Sequence, residues 1–395
     1  MPKVVLVGAL LLLGSSLALL DAETVAPVEG VVFLDRNTNG LRDPDEPGLA
    51  GIAVSNQREV VRTAADGRYR LDDAGLGVVF VSLPDTYRAV GSFWRAASGV
   101  GIDFALAPQA SPAAFTFLHA SDPHVSAQSL PRLERVRAIV GDRKPDFVLM
   151  TGDLVRDSLR VGEDEARGYY DLYVNEVGRW PVTVWSVPGN HENFGVERHL
   201  SHVSTTHPLY GKRMYRQRLG PNYYSFSYGG VHFVGLDSVD VDDEWYYGHI
   251  DQAQLAWLKA DLATLARDAT VVTFNHIPFA SAMESVSGFK PDGVAPSLIS
   301  IGGRPQYRHT VSNLSEVLPL LQPYRWTHAL GGHLHIRESI RFGSAVTTRF
   351  YQTAAIVGPT EGVVPAVSGV TFYRVRNGVV DEGEFVALDT ASSHP

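Results

Sequence analysis

The sequence predicts an α/β domain preceded by a small all-β sandwich domain. Between residues 115 and 340, short apolar runs alternate with stretches that have helical spacing of apolar side chains. This pattern is typical of a sheet that is buried on both faces. Residues 23–108 instead contain short strand-like runs at regular spacing, separated by turns, as in a small sandwich. Hydrophobic residues make up 45% of the 395 residues, which is enough for a core and too few for a multispanning membrane protein.

Residues 1–22 predict a targeting segment. Lys3 is the only early positive charge, and residues 4–20 are apolar apart from Ser15 and Ser16. Such a run, followed by small residues, is typical of a signal peptide that is cleaved on export. The alternative is an uncleaved anchor, since 17 residues are at the low edge of the length for a span. We therefore expect a secreted or periplasmic protein, with membrane contact only if residues 4–20 are retained.

A polar loop at residues 35–46 has the spacing of a twelve-residue calcium loop. Oxygen-bearing side chains stand at positions one, three, five and nine, glycine stands at six and glutamate at twelve. The candidate calcium ligands are Asp35, Asn37, Asn39, Leu41, Asp43 and Glu46. The alternative is an Asx-rich turn that bonds only local backbone, because no helix pattern flanks the loop.

The run Asp66-Gly67-Arg68-Tyr69-Arg70-Leu71 resembles sandwich modules of secreted bacterial surface proteins. This resemblance implies that residues 23–108 form a separate module, either structural or binding a substrate or the cell wall. Residues 109–114 are mostly small and contain Pro112, which predicts a linker to the next domain.

Five polar clusters follow strand-like apolar runs in the region after the linker. They are Ser121-Asp122-Pro123-His124, Thr151-Gly152-Asp153, Pro188-Gly189-Asn190-His191-Glu192, Asn275-His276 and Gly331-Gly332-His333-Leu334-His335. Sheets of this kind gather functional groups at the carboxyl ends of their strands. We therefore expect the five clusters to meet at one site.

The residue types in these clusters suit a metal centre. Carboxylate, amide oxygen and imidazole bind Mn, Fe or Zn, and the chain has no cysteine to offer a thiolate. The candidate ligands are Asp122, His124, Asp153, Asn190, His276, His333 and His335. Seven ligands are too many for one tetrahedral ion and fit two ions that share a carboxylate. Two such ions clamp the oxygens of an in-line displacement and make hydroxide available near neutral pH, which is phosphoester chemistry.

In this order, Asp-x-His, Gly-Asp, Gly-Asn-His-Glu, Asn-His and Gly-His-x-His resemble the motifs of the calcineurin-like metallophosphoesterases. The resemblance covers residues 115–340 and implies an α/β/β/α sandwich, with an N-terminal module of the kind attached to some secreted bacterial members. It implies one metal on Asp122, His124, Asp153 and His335. It implies a second metal on Asp153, Asn190, His276 and His333, with Asp153 bridging.

The resemblance also implies that His191 is catalytic, as a general acid or a hydrogen-bond donor beside the leaving-group oxygen. The alternative is that His191 only orients Glu192 or a ligand. The sequence departs from the purple acid phosphatase branch, in which a tyrosine ligand follows the bridging aspartate by three positions. Arg156 stands there, so a purple tyrosinate–iron site is not expected and Arg156 can face substrate or solvent.

Two insertions, residues 240–247 and 279–311, predict the rim of the pocket. The first offers Trp245, Tyr246 and Tyr247 for stacking on a base. The second offers cations for phosphate oxygens, with a solvated loop as the alternative; they are Lys290, Arg304, Arg308 and His309. Residues 341–395 alternate as β-strands and either complete the sheet or form a small module.

These observations favour a secreted dinuclear enzyme that hydrolyses a phosphomonoester or phosphodiester by attack of a metal-bound hydroxide. The substrate is expected to be a small molecule or a lipid. A net charge of −9 without a dense Lys/Arg stripe argues against a nucleic-acid duplex. The main alternative is a cell-surface binding or adhesion protein that uses residues 23–108. A metallopeptidase is less favoured because the chain lacks His-Glu-x-x-His.

Overall fold

The computed structural model describes residues 26–98, 101–290, 296–344, 347–358 and 367–388. The predicted targeting segment at residues 1–22 lies outside these ranges. Within them, no helix combines the length and the apolar character that crossing a membrane requires.

The N-terminal region is made of two four-stranded sheets. Its strands are β1 (Val28–Leu34), β2 (Ala53–Ser55), β3 (Val60–Arg62), β4 (Arg68–Leu71), β5 (Val78–Ser82), β6 (Tyr87–Ala89), β7 (Trp94–Ala96) and β8 (Phe104–Pro108). One sheet has the order β4-β1-β8-β6 and the other β3-β2-β5-β7. In β4, buried Tyr69 and Leu71 alternate with exposed arginines, because successive side chains of a strand point to opposite faces. Buried residues of both sheets, among them Val32 and Val54, pack in one core.

The following region alternates strands and helices. Its strands are β9 (Ala114–Ala120), β10 (Phe147–Thr151), β11 (Thr183–Val187), β12 (Tyr224–Tyr228), β13 (Val231–Gly235), β14 (Val239–Asp242), β15 (Trp245–Gly248), β16 (Thr270–Phe274), β17 (Leu298–Ile301), β18 (Arg304–Tyr307), β19 (Arg325–Gly331), β20 (Glu338–Phe342), β21 (Thr348–Gln352), β22 (Gly369–Arg376), β23 (Val379–Val380) and β24 (Glu384–Ala387). Its helices are α1 (Leu130–Arg143), α2 (Glu163–Val177), α3 (Arg198–Ser201), α4 (Lys212–Leu219), α5 (Gln252–Leu262), α6 (Met283–Ser287) and α7 (Leu314–Leu321). Asn190–Glu192 forms one 3₁₀ turn.

Two mixed sheets build this region. The first has the order β11-β10-β9-β22-β23, with β24 also paired to β22, and β9 to β11 run parallel. The second has the order β12-β13-β16-β19-β21-β20, in which β13, β16, β19 and β21 run parallel. A hairpin with Gly229-Gly230 at its turn joins β12 to β13. The strands after residue 340 extend both sheets: β21 pairs with β19, and β22 with β9.

The sheets are arranged in layers. Aromatic side chains fill the space between them, where Phe117 of β9 lies edge-on to Phe233 of β13, with ring centroids 5.4 Å apart. Helices α1 and α2 pack on the outer face of the first sheet, for example through Val136 and Tyr173. Helices α5 and α7 pack on the second sheet through residues such as Leu258. The predicted fold class, an α/β domain after a strand-rich region, is confirmed.

The N-terminal region is docked against the edge of the second sheet. Ser227 of β12 donates its backbone N–H to the Leu83 carbonyl (2.8 Å). The Gln57 side chain donates to the Tyr223 carbonyl (3.0 Å), and the Tyr223 hydroxyl donates back to the Gln57 carbonyl. The Trp257 indole of α5 donates to the Ser55 hydroxyl (3.1 Å). The two regions therefore share one interface, which covers the outer edge of β12.

Candidate metal centre

The loops after β9, β10, β11, β16 and β19 bring the seven predicted ligands together. Five of the seven have a positive φ: Asp122 (53°), His124 (38°), Asp153 (48°), His333 (72°) and His335 (55°). Residues other than glycine rarely adopt this conformation, which costs about 1–3 kcal/mol each, and it persists only where the surroundings enforce it. Hydrogen bonds between the loops do so here. Asp122 N–H donates to the Gly152 carbonyl (3.1 Å) and His124 N–H to the Asp153 carbonyl (2.9 Å).

Two glycines let the loops approach each other this closely. A Cβ on Gly189 would lie 2.2 Å from Asp153 Oδ1. A Cβ on Gly332 would lie 1.9 Å from Ser121 Oγ and 2.6 Å from Asp122 Oδ2. Any larger residue at either position would displace a carboxylate of the centre.

The first cluster contains Asp122, His124 and His335. Nε2 of His124 lies 3.1 Å from Nε2 of His335, and the latter lies 3.3 Å from Oδ1 of Asp122. Oδ2 of Asp153 stands 3.6 Å from Nε2 of His124. Asp122 is fully buried and the two histidines are half-buried, so the cluster opens to solvent on the imidazole side.

The second cluster contains Asn190, His276 and His333. Nε2 of His276 is its centre, at 3.1 Å from Asn190 Oδ1 and 3.2 Å from His333 Nδ1. Oδ1 of Asp153 lies 3.2 Å from the same nitrogen. Asp153 therefore turns one carboxylate oxygen to each cluster, as a bridging ligand does.

These separations fit metal coordination. With ligand bonds of about 2.1 Å, two donors on one ion lie about 3.0 Å apart at a right angle and about 3.4 Å apart at the tetrahedral angle. Five of the separations within the two clusters, 3.1–3.3 Å, fall in that range. The His124 Nε2 atom lies farther from the two carboxylates, at 3.6 Å from Asp153 Oδ2 and 4.0 Å from Asp122 Oδ1. In each cluster two imidazole nitrogens face each other, an arrangement that a shared cation would stabilise. Carboxylate, amide and imidazole donors suit Mn, Fe or Zn.

The ionised carboxylates of the centre also favour the binding of cations. Burial would raise the pKa of Asp153, but the neighbouring histidines, His276 first, hold that pKa well below its usual range. Burial would lower the pKa of His276, but Asp153 raises it to about 9. Burial and His191 lower the pKa of His124 to about 4. The proton on His276 therefore offsets the negative charge of Asp153 and Asp122, and a bound metal ion would take the place of that proton.

His191 stands beside both clusters. Its ring lies 4.7 Å from the His124 ring at 88°, its Nε2 is 3.8 Å from Asp153 Oδ2, and its side chain is 20% exposed. Its backbone N–H donates to Asp153 Oδ1 (3.0 Å). Its Nδ1 faces Asp157 Oδ1 at 3.7 Å. The His191 ring thus borders the first cluster beside His124 and Asp153, and its exposed part is where a substrate can approach.

His309 contacts a candidate metal ligand rather than lining the rim as a cation for phosphate. It was predicted as a cation for phosphate, but burial and Arg308 lower its pKa to about 4, so it is neutral near pH 7. Its Nδ1 lies 3.0 Å from Nε2 of His333, on the opposite side of that ring from His276. A hydrogen bond there fixes the orientation of a ligand ring. No local sequence signal distinguishes His309 within its long insertion.

The predicted rim is formed by the hairpins β14–β15 and β17–β18. Arg308 is buried, with its guanidinium 4.2 Å from the Tyr246 ring centroid and 5.2 Å from that of Trp245. The Tyr246 ring lies 6.0 Å from His333. Arg308 therefore packs the rim against the second cluster, while Lys290 and Arg304 are exposed. Trp245 is 43% exposed, whereas Tyr246 and Tyr247 are buried and offer little stacking surface.

The predicted calcium loop is a separate site in the N-terminal region. Asp35 and Glu46 are buried, and Asp35 Oδ1 has no hydrogen-bond partner within the described residues. Asx turns hold the rest of the loop: Asn37 Oδ1 accepts from Asn39 N–H (3.0 Å) and Asn39 Oδ1 from Leu41 N–H (2.7 Å). Asp43 accepts from both asparagine amides, and Glu46 accepts backbone N–H groups, including that of Asp43. The loop is thus a folded turn with one buried unpaired carboxylate oxygen.

Comparison with known proteins identifies a family for the region that contains the two clusters. The family model of the calcineurin-like phosphoesterases matches residues 115–337. The chain belongs to this family. The predicted resemblance of residues 115–340 to this family is therefore confirmed. The calcineurin-like phosphoesterases are metal-dependent phosphoric ester hydrolases.

Three individual proteins illustrate the likeness. A Rhodococcus erythropolis protein named "Probable cyclic nucleotide phosphodiesterase" is 27% identical over 173 residues, which are 41% of this chain and 52% of that protein. This chain thus spans about half the length of that relative. Serine-aspartate repeat-containing protein F of Staphylococcus epidermidis is 42% identical over 82 residues, 19% of this chain and 5% of that protein. The crystal structure of a dimetal phosphatase from Danio rerio aligns with 69% of this chain and 98% of its own, at 17% identity and a TM-score of 0.46.

Proposed function

We propose that this calcineurin-like phosphoesterase hydrolyses a phosphomonoester or phosphodiester at a dinuclear centre of Mn, Fe or Zn. The observation that carries the proposal is Asp153, which turns one oxygen to each of two clusters of metal-type donors. Asp122, His124, Asp153 and His335 would hold one ion, and Asp153, Asn190, His276 and His333 the other. When bound, the two ions supply Lewis-acid activation of water and charge neutralisation of the phosphoryl oxygens.

The residues of the chain provide position and proton transfer. His191 is partly exposed beside the centre and faces Asp157 through Nδ1. Its other nitrogen is available to donate a hydrogen bond, or a proton, to the oxygen that leaves phosphorus. The backbone hydrogen bonds between the loops hold Asp122 and His124 in place before substrate arrives, which limits reorganisation during the reaction.

The substrate we propose is a small phosphate ester. The Rhodococcus relative is named a phosphodiesterase, which favours a phosphodiester as the substrate of this chain. Membership of the family alone is also compatible with a phosphomonoester. A comparison of bis-p-nitrophenyl phosphate with p-nitrophenyl phosphate separates the two.

The test uses the purified chain, stripped of metal and reconstituted with Mn, Fe or Zn. We expect about two metal ions per chain and metal-dependent hydrolysis. Asp153→Ala should lose both metal and turnover, because it removes a ligand from each cluster. His191→Ala should keep the metal content and lose turnover by about 10²–10⁴-fold, the contribution typical of a general acid. Asp164→Ala, an exposed change in α2, is the control. Full turnover in Asp153→Ala would sink the proposal.

We also propose that the loop at residues 35–46 binds calcium as a structural ion. The support is the ligand spacing together with the buried, unpaired Oδ1 of Asp35. A weak extracellular type of site, with a Kd of about 10⁻⁴–10⁻³ M, would stabilise the fold by about 1.4–2.7 kcal/mol in 10 mM Ca²⁺. Thermal unfolding with and without Ca²⁺ measures this. Glu46→Gln should abolish the effect, and Asp45→Asn, whose side chain is 80% exposed, should keep it. An equal response to Mg²⁺ would contradict a calcium site.

A further inference from the structure

A groove borders the first cluster at His124. Its volume is about 450 Å³, and it is lined by His124, Gln128, Arg132, Arg156 and Val357, with serines at its base. The ring of His124 also lies 4.7 Å from the ring of His191, the residue proposed to donate to the leaving oxygen. His124 therefore belongs both to the lining of the groove and to the first cluster.

The charged side chains that line the groove are arginines. Two guanidinium groups line it, and no carboxylate does so among the described residues. Asp157 follows Arg156 in the sequence, but its carboxylate accepts a hydrogen bond from Arg160 (3.0 Å) and faces His191 rather than the groove. Arg132 has an interaction of its own, so Arg156 is the guanidinium that would stabilise an anionic ligand here.

Arg156 is the residue best placed to bind it. Its side chain is exposed and makes no hydrogen bond or ion pair within the described ranges. Its backbone is fixed, because its N–H donates to the Val125 carbonyl (3.1 Å), one residue beyond His124. The guanidinium thus extends from a rigid backbone into a groove that a metal-type histidine also lines. Exposed Gln128 adds an uncharged donor.

We infer that this groove is a subsite for a second anionic group, carried by the leaving group of the substrate. The inference rests on the proposed function. It favours substrates with a diphosphate linkage or a second phosphate over cyclic nucleotides and simple monoesters, whose leaving groups are uncharged. In the reaction a water oxygen bonds to the phosphorus at the centre and the bond from phosphorus to the leaving oxygen breaks. That oxygen keeps the electron pair and takes up a proton, while the second phosphate stays unchanged in the groove.

The test compares AMP with ADP. Hydrolysis of AMP releases uncharged adenosine, whereas hydrolysis at the terminal phosphorus of ADP releases AMP, whose phosphate would occupy the groove. We would measure kcat/KM for both at one fixed free-metal concentration. Calorimetric Kd values for both, with and without chelator, add a readout that does not depend on turnover.

Arg156→Ala should lower the ADP-to-AMP ratio of kcat/KM about tenfold or more, the scale of one charge-assisted hydrogen bond. The ratio of Kd values should move in the same direction. Arg156→Lys should restore part of the preference, because a point charge replaces a planar fork. Arg135→Ala, an exposed arginine of α1 outside the groove, should leave both ratios unchanged.

The outcomes separate this inference from the proposed function. If the wild-type chain hydrolyses bis-p-nitrophenyl phosphate but Arg156→Ala keeps both ratios, the subsite is wrong and the enzyme class stands. Equal losses for AMP and ADP would also overturn it, since Arg156 would then act on the centre itself. If no phosphate ester is hydrolysed in the presence of bound metal, the proposed function fails first.

Discussion

The seven metal-type residues could be predicted one by one because each belongs to a short motif at the end of an apolar run. Their surroundings could not. His309 contacts His333 across 24 residues of chain, inside an insertion with no periodic pattern. Arg308, predicted as a phosphate-binding cation, is buried against Tyr246 and Trp245. At this scale, sequence identifies which donors are present, whereas tertiary contacts decide which neighbours orient them.

His309→Ala tests the orienting role. Removing the hydrogen bond to His333 should weaken metal binding at the second cluster by about 10–100-fold, as loss of such partners does in other metal sites. Binding at the first cluster should change less. Stepwise titration with Mn²⁺, followed by electron paramagnetic resonance, resolves the two affinities. His199→Ala, whose side chain is 62% exposed and pairs with Glu244, is the matched control. Unchanged affinities in His309→Ala would refute the assignment.

Three polar residues stand immediately before helices, but only one of them caps its helix with its side chain. Asp251 caps α5, since its Oδ1 accepts the Gln254 N–H (2.8 Å). Ser129 precedes α1 but donates its hydroxyl to the His124 carbonyl (2.7 Å) instead. Asn313 precedes α7, yet its side chain bonds the backbone of Ile250. Ser129 and Asn313 do not cap their helices because their side chains form hydrogen bonds with the metal-binding loop and with a neighbouring segment instead.

The loop between β11 and the 3₁₀ turn tolerates no side chain at Gly189. In Gly189→Ala the new methyl group would meet Asp153 Oδ1 at 2.2 Å, so the shared ligand must move. We expect metal content to fall from about two ions toward none, with a loss of about 1–3 kcal/mol in the free energy of unfolding from overpacking. Elemental analysis and urea denaturation measure both. Gly168→Ala in α2, where a Cβ meets nothing within 4 Å, should keep its metal and gain about 0.5–1 kcal/mol. Full metal content in Gly189→Ala would contradict the close approach.

For the whole molecule, the sequence predicted two regions joined by a linker and left their relation open. The structure docks them through Gln57, Tyr223 and Trp257. The local sequence around each of these buried residues has no feature that distinguishes an interface residue from a core residue. The contact also covers the β12 edge, whose unpaired backbone groups would otherwise be open to another chain.

Trp257→Ala measures this interface. The indole lies 4.9 Å from the Tyr223 ring and 6.4 Å from Phe80 of the N-terminal region. Its truncation should lower the free energy of unfolding by about 3–5 kcal/mol. It should also separate the urea transitions of the two regions, followed by fluorescence and circular dichroism. Phe342→Ala, an aromatic residue that is 55% exposed, should lose much less. Equal losses would mean that the interface contributes little.

The position of β22 has a consequence for biosynthesis. This strand, residues 369–376, is the neighbour of β9, and the Val357 N–H donates to the Asp122 carbonyl (3.0 Å). The strand that leads to Asp122 and His124 thus leaves the ribosome about 250 residues before its partner does. A nascent chain can fold its N-terminal sheets early, whereas we expect its metal-binding loops to reach their final arrangement only after this late pairing. A translation product that stops before residue 357 would therefore carry all seven donors and still lack an assembled centre.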